Sequence, residues 1–81
     1  MSPAELDEAL RLAEQGDWHG AHGLVQKDEA DPLSCWIHAV LHRQEGDLAN
    51  ARYWYARCGR RLRESVAPQA ELAEIRGALR D

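Results

Sequence analysis

The chain lacks the patterns that mark membrane, exported or disulfide-bonded proteins. None of its apolar runs approaches the roughly 20 residues that a transmembrane helix needs. It begins Met-Ser-Pro-Ala-Glu, with neither a basic start nor an apolar segment, so no signal peptide is visible and a cytoplasmic location is expected. Its only two cysteines, Cys35 and Cys58, are far from Cys-x-x-Cys spacing, and we expect buried thiols.

Catalytic motifs and strand patterns are missing as well. There is no Gly-x-Ser-x-Gly turn and no glycine-rich loop that could hold a phosphate, so we expect neither an enzyme nor a cofactor. Phenylalanine is absent, and tryptophan and tyrosine supply all the aromatic bulk. No segment alternates apolar and polar residues as a half-buried strand does. The sequence therefore predicts an all-α protein.

A short phrase occurs twice in the chain. The segment 15–21 (Gln-Gly-Asp-Trp-His-Gly-Ala) is matched 30 residues later by 45–51 (Glu-Gly-Asp-Leu-Ala-Asn-Ala). In each, the glycine is suited to end one helix, the aspartate to cap the next, and the alanine to let two helices touch. A joint repeated at this period predicts a helical-repeat module.

Further signals predict where the other helices begin. Segment 2–5 (Ser-Pro-Ala-Glu) has the form of a capping box, Asp31-Pro32 is a cap followed by proline, and 65–68 (Ser-Val-Ala-Pro) is a break. We predict one domain over 1–81 with five short helices: a hairpin over about 3–29, a hairpin over about 32–62, and a C-terminal cap helix over about 66–80. The fourth helix is expected to continue to about Leu62. The cap helix is expected to place Leu72, Ile75 and Leu79 on one side and Glu71, Glu74 and Arg76 on the other.

The two joints resemble the tetratricopeptide repeat. The second repeat carries the features of that family best, and the period of 30 is shorter than the family's roughly 34, so both hairpins would be abbreviated. Segments 36–47 and 50–55 are also similar to a stretch found in small bacterial proteins without an assigned activity. The residues that carry the repeat resemblance are Gly16, Asp17, Ala21, Pro32, Ala39, Gly46, Asp47, Ala51 and Tyr55.

This resemblance implies a binding groove along the first helix of each hairpin. Such a groove would receive a partner protein or peptide, or a second copy of the chain in a homodimer, or it would be covered by the fifth helix; the sequence leaves these alternatives open. The function expected is a protein–protein interaction or self-association module. The groove residues would be Leu6, Leu10, Leu33, Trp36, Val40 and Arg43.

An alternative function is metal binding. His38, His42 and Glu45 occur at helical spacing i, i+4 and i+7, and therefore share one face, while His22 on the preceding hairpin could approach it. This set suits zinc or another divalent transition metal. Ala39 follows His38 where a zincin helix has its glutamate base, so metal-assisted hydrolysis is not supported. The competing interpretation is a packed histidine pair hydrogen-bonded to neighbouring groups.

Charge is unevenly distributed along the chain. Residues 1–47 carry net charge −7 and residues 48–81 carry +3, within a whole-chain charge of −4. The second half contains an acid-free arginine run with interleaved aromatics, a pattern seen in nucleic-acid-binding proteins. The acidic total, and the need for Trp54 and Tyr55 in the core, favour a solvated face that pairs with the acidic half. The run consists of Arg52, Arg57, Arg60, Arg61 and Arg63.

Overall fold

The computed structural model describes all 81 residues and contains five helices and no strand. This confirms the predicted all-α fold. No helix combines the length and the apolar character that crossing a bilayer requires. The helices are α1 (Pro3–Glu14), α2 (Trp18–Val25), α3 (Pro32–Glu45), α4 (Leu48–Arg57) and α5 (Pro68–Arg80).

Four of the helices begin at side-chain caps that the sequence predicts. At α1 the capping box is complete: Glu5 N–H donates to Ser2 Oγ (3.2 Å) and Ser2 N–H donates to the Glu5 carboxylate (3.0 Å). Asp17, Asp31 and Asp47 each accept a hydrogen bond from backbone N–H groups in the first turn of α2, α3 and α4. These bonds satisfy donors that have no partner inside a helix, which is why the chain starts its helices there.

Glycines in the left-handed conformation follow three of the helices. Gly16, Gly46 and Gly59 have φ of +83°, +86° and +72°, a region that side chains with a Cβ rarely adopt. The backbone after each glycine folds back on the helix end; for example, Arg60 N–H donates to the Tyr55 carbonyl over 2.8 Å. This turn ends α4 at Arg57, so the prediction that the fourth helix continues to about Leu62 was wrong.

Helix α3 is the centre of the domain. It packs against all four other helices, and every residue from Ser34 to His42 is buried. Consecutive helices α1 and α2 pack on each other across a short turn, and so do α3 and α4, which gives two helical hairpins. Ala21 and Ala51, the alanines of the repeated phrase, are fully buried as that phrase predicts.

The fifth helix covers the groove that the sequence assigns to a partner. α5 packs on α1 and α3, and its Leu72 and Ile75 join the buried core. Of the three alternatives for this groove, cover within the chain is the one found. The predicted groove residues accordingly lie inside the domain: Leu6, Leu10, Trp36 and Val40 are buried, and Leu33 and Arg43 are half-buried.

A buried glutamate attaches α5 to the second hairpin. Glu71 is only 1% exposed, and its carboxylate accepts hydrogen bonds from Trp36 Nε1 (2.8 Å), Tyr55 Oη (2.6 Å) and Arg43 Nη1 (2.9 Å). Burial, reinforced by this carboxylate, raises the pKa of Tyr55 and keeps its hydroxyl a donor. The sequence pattern predicts Glu71 on the polar side of the helix. That placement was wrong, because three donors in the core satisfy the charge there.

An ion-pair network holds the far end of α5. Arg76 donates to both carboxylate oxygens of Glu14 (3.0 and 2.7 Å) and to Asp7 (2.8 Å), both on α1. Through Arg76, the basic second half of the chain pairs with the acidic first half inside one domain. The arginine run does not: its ion pairs are those of Arg52 and Arg63 with acids of the second half, so the expectation that the run pairs with the acidic half was wrong.

Candidate metal centre

Three histidines from two helices meet between α2 and α3, and we call them the histidine cluster: His22, His38 and His42. One ring nitrogen from each lies within 4.8 Å of the others. The closest pair is His22 Nε2 and His38 Nε2, which are 3.2 Å apart. The sequence predicts that His38 and His42 share a face and that His22 could approach it, and the structure brings all three together.

The local fold places each ring. His38 and His42 are one helical turn apart on α3 and are 3% and 5% exposed. His22 extends from α2, which packs directly on α3, and it is only partly buried. The histidine cluster is therefore enclosed on the α3 side and approachable from the α2 side.

Two tryptophans fix the orientation of the rings. Trp18, four residues before His22 on α2, stacks on it with centroids 4.6 Å apart and planes 10° apart. Trp54 on α4 stacks on His38 at 3.9 Å and 14°. Trp18 Nε1 in turn donates to the Leu41 carbonyl over 2.6 Å. The sequence predicts Trp54 as a core residue, but neither stacking contact was predicted, although the i, i+4 spacing of Trp18 and His22 was a usable signal.

Hydrogen bonds at its two nitrogens orient His42. Its Nδ1 lies 2.5 Å from Glu45 Oε1, and the Asn50 amide donates to its Nε2 over 3.3 Å. A carboxylate on the outer nitrogen is the usual partner of a metal-binding histidine. Glu45 does not form a ligand group with His38; it groups with His42 and the turn residue Asp47. The third member of the cluster is thus His22, and Glu45 is the orienting group.

Burial favours the neutral form of two rings of the histidine cluster, His22 and His38. Burial lowers the pKa of His38 to about 3, and the nearby His22 and His42 rings add to the effect. Burial is also the main cause that lowers the pKa of His22. A neutral imidazole offers a lone pair, and a metal ion competes with fewer protons for it at neutral pH.

The second nitrogen of His38 is buried without a hydrogen-bond partner. This Nδ1 atom is the one buried side-chain nitrogen or oxygen in the chain of which that is true. Leaving such a group unpaired costs about 1–3 kcal/mol. His38 makes its polar contact through the other nitrogen, Nε2, which lies within hydrogen-bond distance of His22 Nε2.

Three imidazoles without a thiolate or carboxylate make a defined ligand set. It matches the three-histidine sites that hold zinc with a fourth position open to water. Neither cysteine belongs to it: Cys35 Sγ–H donates to the Glu29 carbonyl and Cys58 Sγ–H to the Tyr55 carbonyl. No protein-family model, curated protein or solved structure matches this chain.

Proposed function

We propose that the protein binds one divalent transition metal ion through His22, His38 and His42. The observation that carries this proposal is the convergence of three ring nitrogens within 4.8 Å of one another. A tetrahedral ion with metal–nitrogen bonds of about 2.0–2.1 Å needs ligand nitrogens about 3.3–3.4 Å apart. The pair His22 and His38, at 3.2 Å, already has that spacing.

The donor set selects the class of metal. Neutral imidazole suits zinc, copper, nickel and iron, whereas magnesium and calcium require oxygen ligands. Zinc tolerates the low coordination number that three histidines and one solvent ligand provide. The open position would lie on the partly exposed His22 side.

The groups around the cluster support the same proposal. The carboxylate of Glu45 would hold His42 in the tautomer whose Nε2 is unprotonated, and a metal ion would take that lone pair in place of the Asn50 amide, which lies 3.3 Å from it. The two stacked tryptophans limit rotation of His22 and His38. The cost of ordering the ligands is then largely met when the chain folds.

The interaction function predicted from the sequence stays a prediction. Its groove holds α5 in this chain, so a partner would need to displace α5 or use another surface. No observation selects a partner for such a surface, and metal binding is the function that the geometry supports better.

Isothermal titration calorimetry of the metal-free protein with zinc tests the proposal. We expect one ion per chain. Cobalt(II) in place of zinc should give the intense visible absorption of tetrahedral coordination. Failure to bind either ion would leave the histidines as packing groups and refute the proposal.

Two histidine variants make the test specific. His22 is partly exposed, so the His22→Asn variant should fold. Loss of this ligand should weaken zinc binding by more than tenfold, where tenfold corresponds to about 1.4 kcal/mol. The matched control is His19→Asn on the same helix, since His19 is exposed and outside the cluster. Equal affinities of the two variants would place the ion elsewhere. Glu45→Gln should weaken binding by about 10- to 100-fold through loss of the orienting carboxylate.

A further inference from the structure

Two adjoining cavities open beside the segment that joins α4 to α5, and we call them together the arginine cleft. Their volumes are about 290 and 380 Å³. Arg60 and Arg61 line both, so the two cavities form one continuous concave surface. The remaining lining residues are Arg52, Tyr55 and Leu62 in the first cavity and Gly59, Arg63 and Glu71 in the second.

The central arginines of the cleft have no acidic partner. Neither Arg60 nor Arg61 forms an ion pair with any carboxylate of the chain. The Arg60 guanidinium lies over the Trp36 ring, with its carbon 3.3 Å from the ring centroid, which holds it in place. The one carboxylate in the cleft, Glu71, is already bonded to Arg43.

The outer arginines add positive charge at the two ends. Arg52 forms its one ion pair with the exposed Glu64, at 3.5 Å. Arg63 pairs with Glu74 at 2.8 Å and lies 3.9 Å from the buried Glu71. Exposed pairs of this kind contribute little and open easily. The cleft as a whole therefore presents a surplus of guanidinium groups.

Backbone N–H groups without an acceptor in the protein lie along the same segment. After Gly59 turns the chain, the N–H groups of Arg61, Leu62 and Arg63 donate to no acceptor within the protein. Consecutive free N–H groups beside arginines are a common way to bind phosphate oxygens.

We propose that the arginine cleft binds a small molecule bearing a diphosphate group. The planar guanidinium binds two oxygens of one phosphate at once, and two arginines shared by two cavities can serve two neighbouring phosphates. The cavity volumes are near those of small-ligand sites.

The charge distribution favours a small ligand over a nucleic acid. The positive charge is local, whereas residues 1–47 carry −7 and the whole chain −4. A long polyanion leaving the cleft would meet that acidic surface and be repelled. A diphosphate would fit within the cleft and meet only the arginines.

Titration of the ¹⁵N-labelled, metal-free protein with sodium pyrophosphate, at constant ionic strength, tests this proposal by NMR. Using the metal-free protein keeps the result independent of the histidine cluster. We expect saturable shifts concentrated in the amides of 59–63. Shifts that spread over the whole surface without saturating would overturn the proposal.

Two charge-matched variants separate a site from general attraction. Arg61→Gln removes an arginine with no partner in the fold and should weaken pyrophosphate binding at least tenfold. Arg80→Gln removes the same charge from the exposed end of α5 and should change it less than twofold. Equal weakening would refute the site. Tighter binding of a single-stranded oligonucleotide than of pyrophosphate, with a steep salt dependence, would replace it with a nucleic-acid surface.

Discussion

Replacing Glu71 by alanine removes the group that attaches α5 to the second hairpin, formed by α3 and α4. The change leaves the Arg43 guanidinium, whose side chain is 8% exposed, without its carboxylate. It also leaves the Trp36 N–H and the Tyr55 hydroxyl without an acceptor. Arg43 Nη2 keeps its hydrogen bond to the Val66 carbonyl (2.8 Å), but Arg43 Nη1, Trp36 Nε1 and the Tyr55 hydroxyl lose their acceptor at one point of the core.

The magnitude follows from these three losses. Removing one partner of a buried ion pair costs about 3–5 kcal/mol, and a neutral buried donor left unpaired costs about 1–3 kcal/mol. The losses are not additive, because water that enters for one donor can reach the others. We expect a decrease of about 4 kcal/mol in the free energy of unfolding. A domain of 81 residues has only about 4–12 kcal/mol in total.

Urea unfolding followed by far-ultraviolet circular dichroism measures this decrease. The matched control is Glu74→Ala on the same helix, because Glu74 pairs with Arg63 at the exposed surface and should contribute about 0–1 kcal/mol. Glu71→Gln keeps the volume and one acceptor but not the charge, and should fall between them at about 2 kcal/mol. If Glu71→Ala and Glu74→Ala differ by less than 1 kcal/mol, the reasoning about buried donors is wrong.

Three further predictions concern acid sensitivity and backbone conformation. Below pH 6.5, His38 takes up a proton in the unfolded chain but not in the folded protein, where its pKa is about 3. The free energy of unfolding of the metal-free protein should therefore fall by up to about 1.4 kcal/mol for each pH unit down to about pH 3. Urea unfolding midpoints at pH 7 and pH 5 check this. His38→Gln should reduce the dependence of the free energy of unfolding on pH, and an unchanged dependence would mean that other groups cause it. Gly46→Ala should lower the free energy of unfolding by about 1 kcal/mol because φ there is +86°. Gly77→Ala, within α5 and with open space around a new Cβ, should raise the free energy of unfolding by about 0.5–1 kcal/mol. Thermal melts of both variants check these predictions, and a change opposite to the expected one would contradict the prediction for that variant.

The helix starts were predictable because their causes are local. The caps at Ser2, Asp17, Asp31 and Asp47 act on backbone groups two or three residues away, so a short stretch of sequence contains the whole interaction. The end of α4 was local as well. Gly59, two residues after Arg57, was visible in the sequence, but the apolar pattern continued to Leu62 and suggested a longer helix.

The candidate site was only half predictable, since half of it depends on contacts between helices. The i, i+4 spacing places His38 and His42 on one face, but which third group joins them depends on how α2 packs on α3. Glu45 is close in sequence, and that made it the expected ligand, whereas the observed neighbour is His22. The burial of Glu71 is a similar case, because its donors are 16 to 35 residues away.

The enclosure of α3 has a consequence for the rates of processes at the histidine cluster. The amides of α3 should exchange with solvent only when the whole domain unfolds, because its residues 34–42 are all buried. Helix α2 has only eight residues, two of them glycines, so we expect it to open more readily than α3. Because His22 belongs to α2, opening of α2 would separate His22 from the other two rings. The lifetime of a metal ion bound by the three rings would then be set by the rate at which α2 opens. The two rings on α3, His38 and His42, would stay in place during that opening.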